Sequence, residues 1–252
     1  MIGTLEALNR GWQLLHDMGR KPLFLGIRGS IVYQLPRPHQ DVDVRGVYLA
    51  PTIEQLSIRK PQHTIERTEG QLDFVGWEAE RFFHHLLKHN GNMTELLLTP
   101  GQLTITNDAG EELRDIGPRF VTQKLHRYYR GYALSQFKRA QQQIRTGKGA
   151  VYTYREMYAG IWLLRTGELV FPWAELRAKV EGEGIYRSRL LDEFNMDREL
   201  ITEDVLLGMR REFNDLTALL DDAVAKSPLP QTYDGYDVCN GMLLRWRSKG
   251  WV

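Results

Sequence analysis

Apolar residues at Leu5, Leu8, Trp12 and Leu15 recur at helical spacing, so the chain is expected to open with a helix over 4–18. The pattern then changes period. "PLFLGI" (22–27) is a short continuous apolar run and predicts a buried strand, and "VDVRGVYLA" (42–50) predicts a second, ended by Pro51. Residues 63–78, "HTIERTEGQLDFVGWE", hold two β-rich runs on either side of Glu69-Gly70 and predict a hairpin. "EAERFFHHLLKHN" (78–90) returns to helical spacing, and 93–98 continues as a short helical piece before Pro100-Gly101.

Beyond about residue 118 the helical period dominates. Leu125, Tyr129, Ala133, Phe137, Ala140 and Ile144 form one stripe; 152–169 and 201–226 predict two more helices. "SPLPQTYDGYD" (227–237) predicts a loop, followed by a closing helix. The segment "RTGKGA" (145–150) predicts a flexible connector and lacks the full phosphate-loop pattern. The pattern divides the chain into an α/β part over 1–115 and a helical part over 116–252.

Composition narrows the class. Of 252 residues, 42% are apolar and 26% charged, as in an ordinary globular protein with a sizeable core. No apolar run has the length of a membrane span, the N-terminus does not read as a secretory signal, and Cys239 is alone. A cytoplasmic protein with no membrane partner is the expectation. The net charge of +1 conceals segregation. Between Pro118 and Arg155 there is no acid, while Arg119, Lys124, Arg127, Arg130, Lys138, Arg139, Arg145, Lys148 and Arg155 are basic. Between Glu181 and Asp222 the acids outnumber the bases.

The candidate chemistry lies in the first part. Strands disfavour Asp, yet Asp41 and Asp43 lie at the second predicted strand. Residues i and i+2 face one side, which places these carboxylates together, roughly 6–7 Å apart along the strand, opposite Val42 and Val44. Asp73, in the middle of "QLDFVGW", supplies a third acid from another strand. Carboxylates so arranged suit divalent cations such as Mg²⁺ or Mn²⁺, and phosphoryl-transfer sites use two such ions. Gly29-Ser30 follows the first strand. It can open a turn or a helix, where backbone N–H groups and a hydroxyl meet a phosphate.

Together, Gly29-Ser30, Asp41 and Asp43 resemble the polymerase-β-type nucleotidyltransferase superfamily. More narrowly, "DVDVRGVYLAP" and "LDFVGWEAERFFHHLLKHNGNMTELL" resemble its predicted nucleotidyltransferases associated with RNA-repair ligases. Asp41, Asp43, Arg45, Gly46, Val47, Tyr48, Asp73, Asn90, Asn92 and Glu95 match that group's motif, and "GYALSQFKRA" and "YREMYAGIWLLRTGEL" look like its C-terminal helices. The chain departs from it at Ile31-Val32-Tyr33-Gln34, at Gly91 in place of a proline, and near residues 159–160. The resemblance implies an α+β fold: a small mixed-sheet polymerase-β-like nucleotidyltransferase domain followed by a C-terminal helical domain.

It also implies a reaction. NMP would pass from an NTP to a hydroxyl acceptor, with an RNA 3′ end as the favoured one, and pyrophosphate would be released. Asp41, Asp43 and Asp73 would hold two Mg²⁺ or Mn²⁺ ions. Gly29, Ser30, Arg28, Arg45, Arg155 and Arg165 would bind the nucleotide, and Lys124, Arg127, Arg130, Lys138 and Arg139 the RNA. Two alternatives keep the fold: transfer of NMP onto a protein or small molecule, and a non-catalytic nucleic-acid-binding or antitoxin-like protein. His85 and His89 stand at i, i+4 but lack a third ligand nearby, which argues against zinc.

Overall fold

The structure is a computed structural model and describes residues 2–35, 41–58, 61–142, 147–186 and 202–248. The chain forms α1 (Thr4–Asp17), β1 (Lys21–Arg28), β2 (Val42–Leu49), α2 (Thr52–Leu56), β3 (Thr64–Glu69), β4 (Leu72–Glu78), α3 (Ala79–Leu87), α4 (Gly91–Leu97), β5 (Thr104–Thr106) and α5 (Asp108–Ile116). It continues with α6 (His126–Gln141), α7 (Gly147–Thr166), α8 (Trp173–Gly182), α9 (Glu203–Ala225) and α10 (Tyr236–Ser248). Two compact units result: residues 1–32, 38–120 and 233–252 form one, and residues 33–37 and 121–232 the other. Ile144, Arg145 and Ile201 lie outside the described residues.

The first unit is built on a five-stranded mixed sheet in the order β3-β4-β2-β1-β5. β2 runs parallel to β4, while β1/β2, β3/β4 and β1/β5 are antiparallel. Alternation of side chains gives the sheet two faces. Val42, Val44, Tyr48, Leu25, Ile27 and Phe74 join Leu8 and Leu15 of α1 in one buried cluster. Val47, Leu49, Leu23 and Phe24 join Phe82, Phe83, Leu96, Leu113 and Trp246 in a second cluster, made with α3, α4, α5 and α10. The strand predictions hold to within a residue or two, including the hairpin, whose turn places Gly70 at φ +60°.

The expected helical pieces over 78–90 and 93–98 are α3 and α4, the first ending three residues early and the second starting two residues early. His89 adopts φ +54° after α3, and the Asn90 side chain accepts a hydrogen bond from the Asn92 N–H at the start of α4. An N-cap of this kind starts a new helix direction rather than extending the old one. The closing helix α10 belongs with the sheet unit, not the helical one. Cys239, Met242 and Trp246 enter the α3 cluster, with Trp246 stacked on Phe83 at 5.7 Å. Arg247 pairs with the fully buried Glu78 at 3.0 Å.

The second unit holds α6 to α9. α7 is buried from Gly149 through Leu164 without a break, a helix covered on all sides rather than on one stripe. The expected connector at 145–150 is therefore helical from Gly147 onward. A Cβ on Gly149 would lie 3.3 Å from the Gln136 carbonyl, so a glycine there lets α7 approach α6 closely. α9 is capped by Thr202, whose Oγ1 accepts from the Val205 N–H, and buries Leu206, Met209, Phe213, Leu216 and Leu220 at helical spacing. Phe213 stacks on Phe137 of α6 at 5.4 Å.

Candidate active site

Three neighbouring strands bring one row of side chains together. Arg28 on β1 is the register partner of Asp43 on β2, and Asp43 is the register partner of Asp73 on β4. Register partners share a face, and this one also carries Arg45, two residues beyond Asp43. Val42 and Val44 point away into the α1 cluster, as the alternation predicts. The apolar packing of β2 thus forces Asp43 and Arg45 onto the opposite side, where both are half-buried.

Arg45 lies between the two carboxylates. Its Nη2 donates to Asp43 Oδ1 at 2.8 Å and to Asp73 Oδ2 at 2.8 Å, and its Nη1 donates to the Asp73 carbonyl at 2.7 Å and the Val44 carbonyl at 3.1 Å. Partial burial opposes ionisation of Asp73. The hydrogen bond and the charge of the Arg45 guanidinium outweigh it and hold the Asp73 carboxyl below the ordinary carboxylate range. Asp41 is exposed, one residue before β2 begins. Among the described residues no three His, Cys, Asp or Glu side chains converge into a ready metal cluster; the acids that meet are Asp43 and Asp73.

Gly29 completes this corner. It adopts φ +69°, and a Cβ built there would lie 2.2 Å from Asp43 Oδ2. The Gly29 backbone, at the start of the turn, therefore rests against the carboxylate, a position open only to glycine. Of the two readings of Gly29-Ser30, the turn is realised and no helix starts there. Ser30 is buried within it. On the other side of Gly29, Arg28 is buried and ion-paired with the equally buried Glu95 of α4. That pair ties the end of β1 to α4. The i+2 spacing from Asp43 could have placed Arg45 between the acids in advance, whereas nothing local in the sequence joins Arg28 to Glu95.

The remaining candidates belong to the helical unit. Arg155 is wholly buried: its Nη1 donates to Glu156 at 2.8 Å, its Nη2 to the carbonyls of Val170 and Phe171 at 3.3 Å, and its guanidinium lies 3.4 Å from the centre of the Tyr33 ring. This is the setting of an internal fastening, not of an open nucleotide contact. Arg165 is exposed near the end of α7, 3.8 Å from Asp222. Lys124, Arg127, Arg130, Lys138 and Arg139 are all exposed on or just before α6, with Arg130 3.4 Å from Asp221 of α9. Tyr128 and Tyr132 on the same helix stack at 5.8 Å, and Tyr129 is core. His84 and Glu80 approach at 3.9 Å, and His85 and His89 join no metal cluster among the described residues.

A mixed sheet with paired acids on adjacent parallel strands, set beside a glycine turn, is consistent with a polymerase-β-like protein. The sequence model of the RNA repair pathway DNA polymerase beta family matches residues 10–245, and the chain belongs to that family. It is also 27% identical over 216 residues to an uncharacterized protein of Methanocaldococcus jannaschii, covering 82% of this chain and 86% of that protein. Among the described residues no helix is long and apolar enough to cross a membrane.

Proposed function

We propose that this chain is a divalent-cation-dependent nucleotidyltransferase that moves NMP from an NTP to a hydroxyl, with an RNA 3′ end as acceptor. The observation that carries the reading is the side-by-side placement of Asp43 and Asp73, with the Gly29 backbone against the first. Family membership supports the reaction class and its link to RNA repair.

The donor set fits Mg²⁺ or Mn²⁺. Asp43 and Asp73 offer hard carboxylate oxygens, half-exposed, with room for water and phosphate oxygens as further ligands. Asp41, from the exposed residue preceding β2, is the third candidate ligand. Bound cations would supply charge neutralisation on the phosphates and favour the ionised form of the attacking hydroxyl.

The chain's own residues do the rest. The turn that begins at Gly29, held against Asp43, would offer backbone N–H groups to the triphosphate, with Ser30 inside the turn and Arg28 paired with Glu95. Asp73 stays ionised near neutral pH, and its carboxylate is the proposed acceptor of the attacking hydroxyl's proton. The new bond joins that oxygen to the α-phosphorus as the bond from the α-phosphorus to the bridging oxygen breaks and pyrophosphate leaves. The exposed basic residues of α6, with the stacked Tyr128 and Tyr132, give the helical unit a surface suited to a single RNA strand.

The test is incubation with each α-labelled NTP, Mg²⁺ or Mn²⁺, and total RNA or total protein in parallel. Label in RNA is the expected result. Label in protein alone would reassign the acceptor, and label in neither would replace transfer by a binding role on the same fold.

A further inference from the structure

The row Arg28, Asp43, Asp73 and its neighbour Arg45 present a charge problem that the fold has already solved. Two carboxylates held in register on adjacent parallel strands repel each other, and each is only partly hydrated. Arg45 Nη2 reaches one oxygen of each at 2.8 Å. Its Nη1 is anchored to the Asp73 carbonyl at 2.7 Å and the Val44 carbonyl at 3.1 Å. The guanidinium is thus fixed by four acceptors, two of them carboxylate oxygens, one from each acid. A fork of donors bridging two carboxylates is a geometry that Arg provides and Lys does not.

We infer that Arg45 is a resident counter-cation of the acid pair, a positioning residue that holds Asp43 and Asp73 together without metal and competes with the incoming divalent cation for their oxygens. This rests on the reading of Asp43 and Asp73 as metal-binding acids. Arg45 is not then primarily a nucleotide ligand. A cation that takes Asp43 Oδ1 or Asp73 Oδ2 displaces the guanidinium from that oxygen, and one that takes the other oxygens meets its charge close by; either way cation affinity is kept moderate.

The sign of the effect is fixed by electrostatics. Removing a unit positive charge about 5 Å from a divalent ion strengthens its binding by about tenfold at water-like screening. The metal-free protein, without the cation that bridges its two carboxylates, becomes less stable. The experiment measures Mn²⁺ binding by calorimetry, and the Mn²⁺-induced rise in unfolding temperature, in the wild type, Arg45→Gln and Arg45→Lys. Arg45→Gln can still donate a hydrogen bond to one acid, which favours folding. The expected result is a Mn²⁺ Kd about tenfold lower in Arg45→Gln, with a lower metal-free unfolding temperature and a larger rise on Mn²⁺ addition. Arg45→Lys should remain within about threefold of the wild type.

Wild-type binding that is unchanged or weakened by Arg45→Gln overturns the inference while leaving the acids as metal ligands. Absence of Mn²⁺ binding in the wild type and in both variants overturns the metal reading itself, and the inference with it. In case Arg45→Gln does not fold, arginine side-chain NMR of the wild type, assigned with Arg45→Lys, gives an independent reading. The Arg45 guanidinium signals should shift on Mg²⁺ addition in step with binding, and signals that do not move would contradict the competition.

Discussion

Gly29 is where the chemistry of one residue is most constrained. Its φ of +69° and the 2.2 Å that would separate a Cβ from Asp43 Oδ2 exclude any side chain. Gly29→Ala should therefore push the turn away from Asp43. We expect a stability loss of about 1–2 kcal/mol, and a fall in transfer rate beyond what that loss explains, measured by denaturant melts and initial rates on the same preparation. Asp73 gives a pH prediction. Its folded-state pKa lies below the unfolded value, so the stability it contributes is present above about pH 4 and is lost as the pH falls through the lowered value. Thermal melts from about pH 6 to about pH 2.5 should show the wild type losing more stability than Asp73→Asn. Equal losses would remove the Arg45 contact as the cause. At this scale the sequence exposes the acids, because an Asp among β-branched residues is conspicuous. It does not expose the fate of Arg155, since a buried arginine and an exposed one are the same letter until the packing of α7 is known.

Among the elements, α10 is the most informative. It follows the helical unit in the chain but packs on α3, and Arg247 reaches Glu78, which is fully buried. Burial raises the Glu78 pKa despite the Arg247 charge and the N–H donors of Glu80 and Ala50. Arg247→Met leaves that carboxylate without its cation and should cost about 3 kcal/mol, read as a shifted urea midpoint with an unchanged slope. Cys239 on the same helix has its thiol pushed up to about 12 by burial. It should resist iodoacetamide at about pH 8 in the native protein and react on unfolding; rapid native alkylation would place α10 elsewhere. Periodicity revealed α1, β1, β2, the hairpin and α9, because each has a clear apolar face. It missed α2, whose Ile53 and Leu56 are exposed, and the three-residue β5, too short to show a period. It also missed α8, which buries only Leu176 and Val180. The α3/α4 break is legible as two helical pieces, but its exact place is not, because His89 takes a left-handed conformation that propensity does not foresee.

For the whole molecule, the net charge of +1 hides a basic α6 and an acidic α9. Some of that charge is paired internally, as Arg130 approaches Asp221 and Arg165 approaches Asp222, both through exposed pairs of small energetic weight. The exposed Lys124, Arg127, Lys138 and Arg139 remain directed at solvent. RNA affinity should fall steeply with salt, and Arg127→Glu with Lys138→Glu should reduce the log–log slope by about 1–2. An unchanged slope would move RNA off this helix. Charge segregation of this kind is legible in the sequence; which charges are already paired is not, because the pairs join residues ninety-one and fifty-seven positions apart.

The central claim is that Asp43 and Asp73 together perform nucleotide transfer. It is tested most directly by incorporation of α-labelled NMP into RNA by the wild type, Asp43→Asn and Asp73→Asn at equal folded concentration. The account predicts label in the wild type and a loss of at least about a hundredfold in each variant. Incorporation at the wild-type rate in either variant would contradict it.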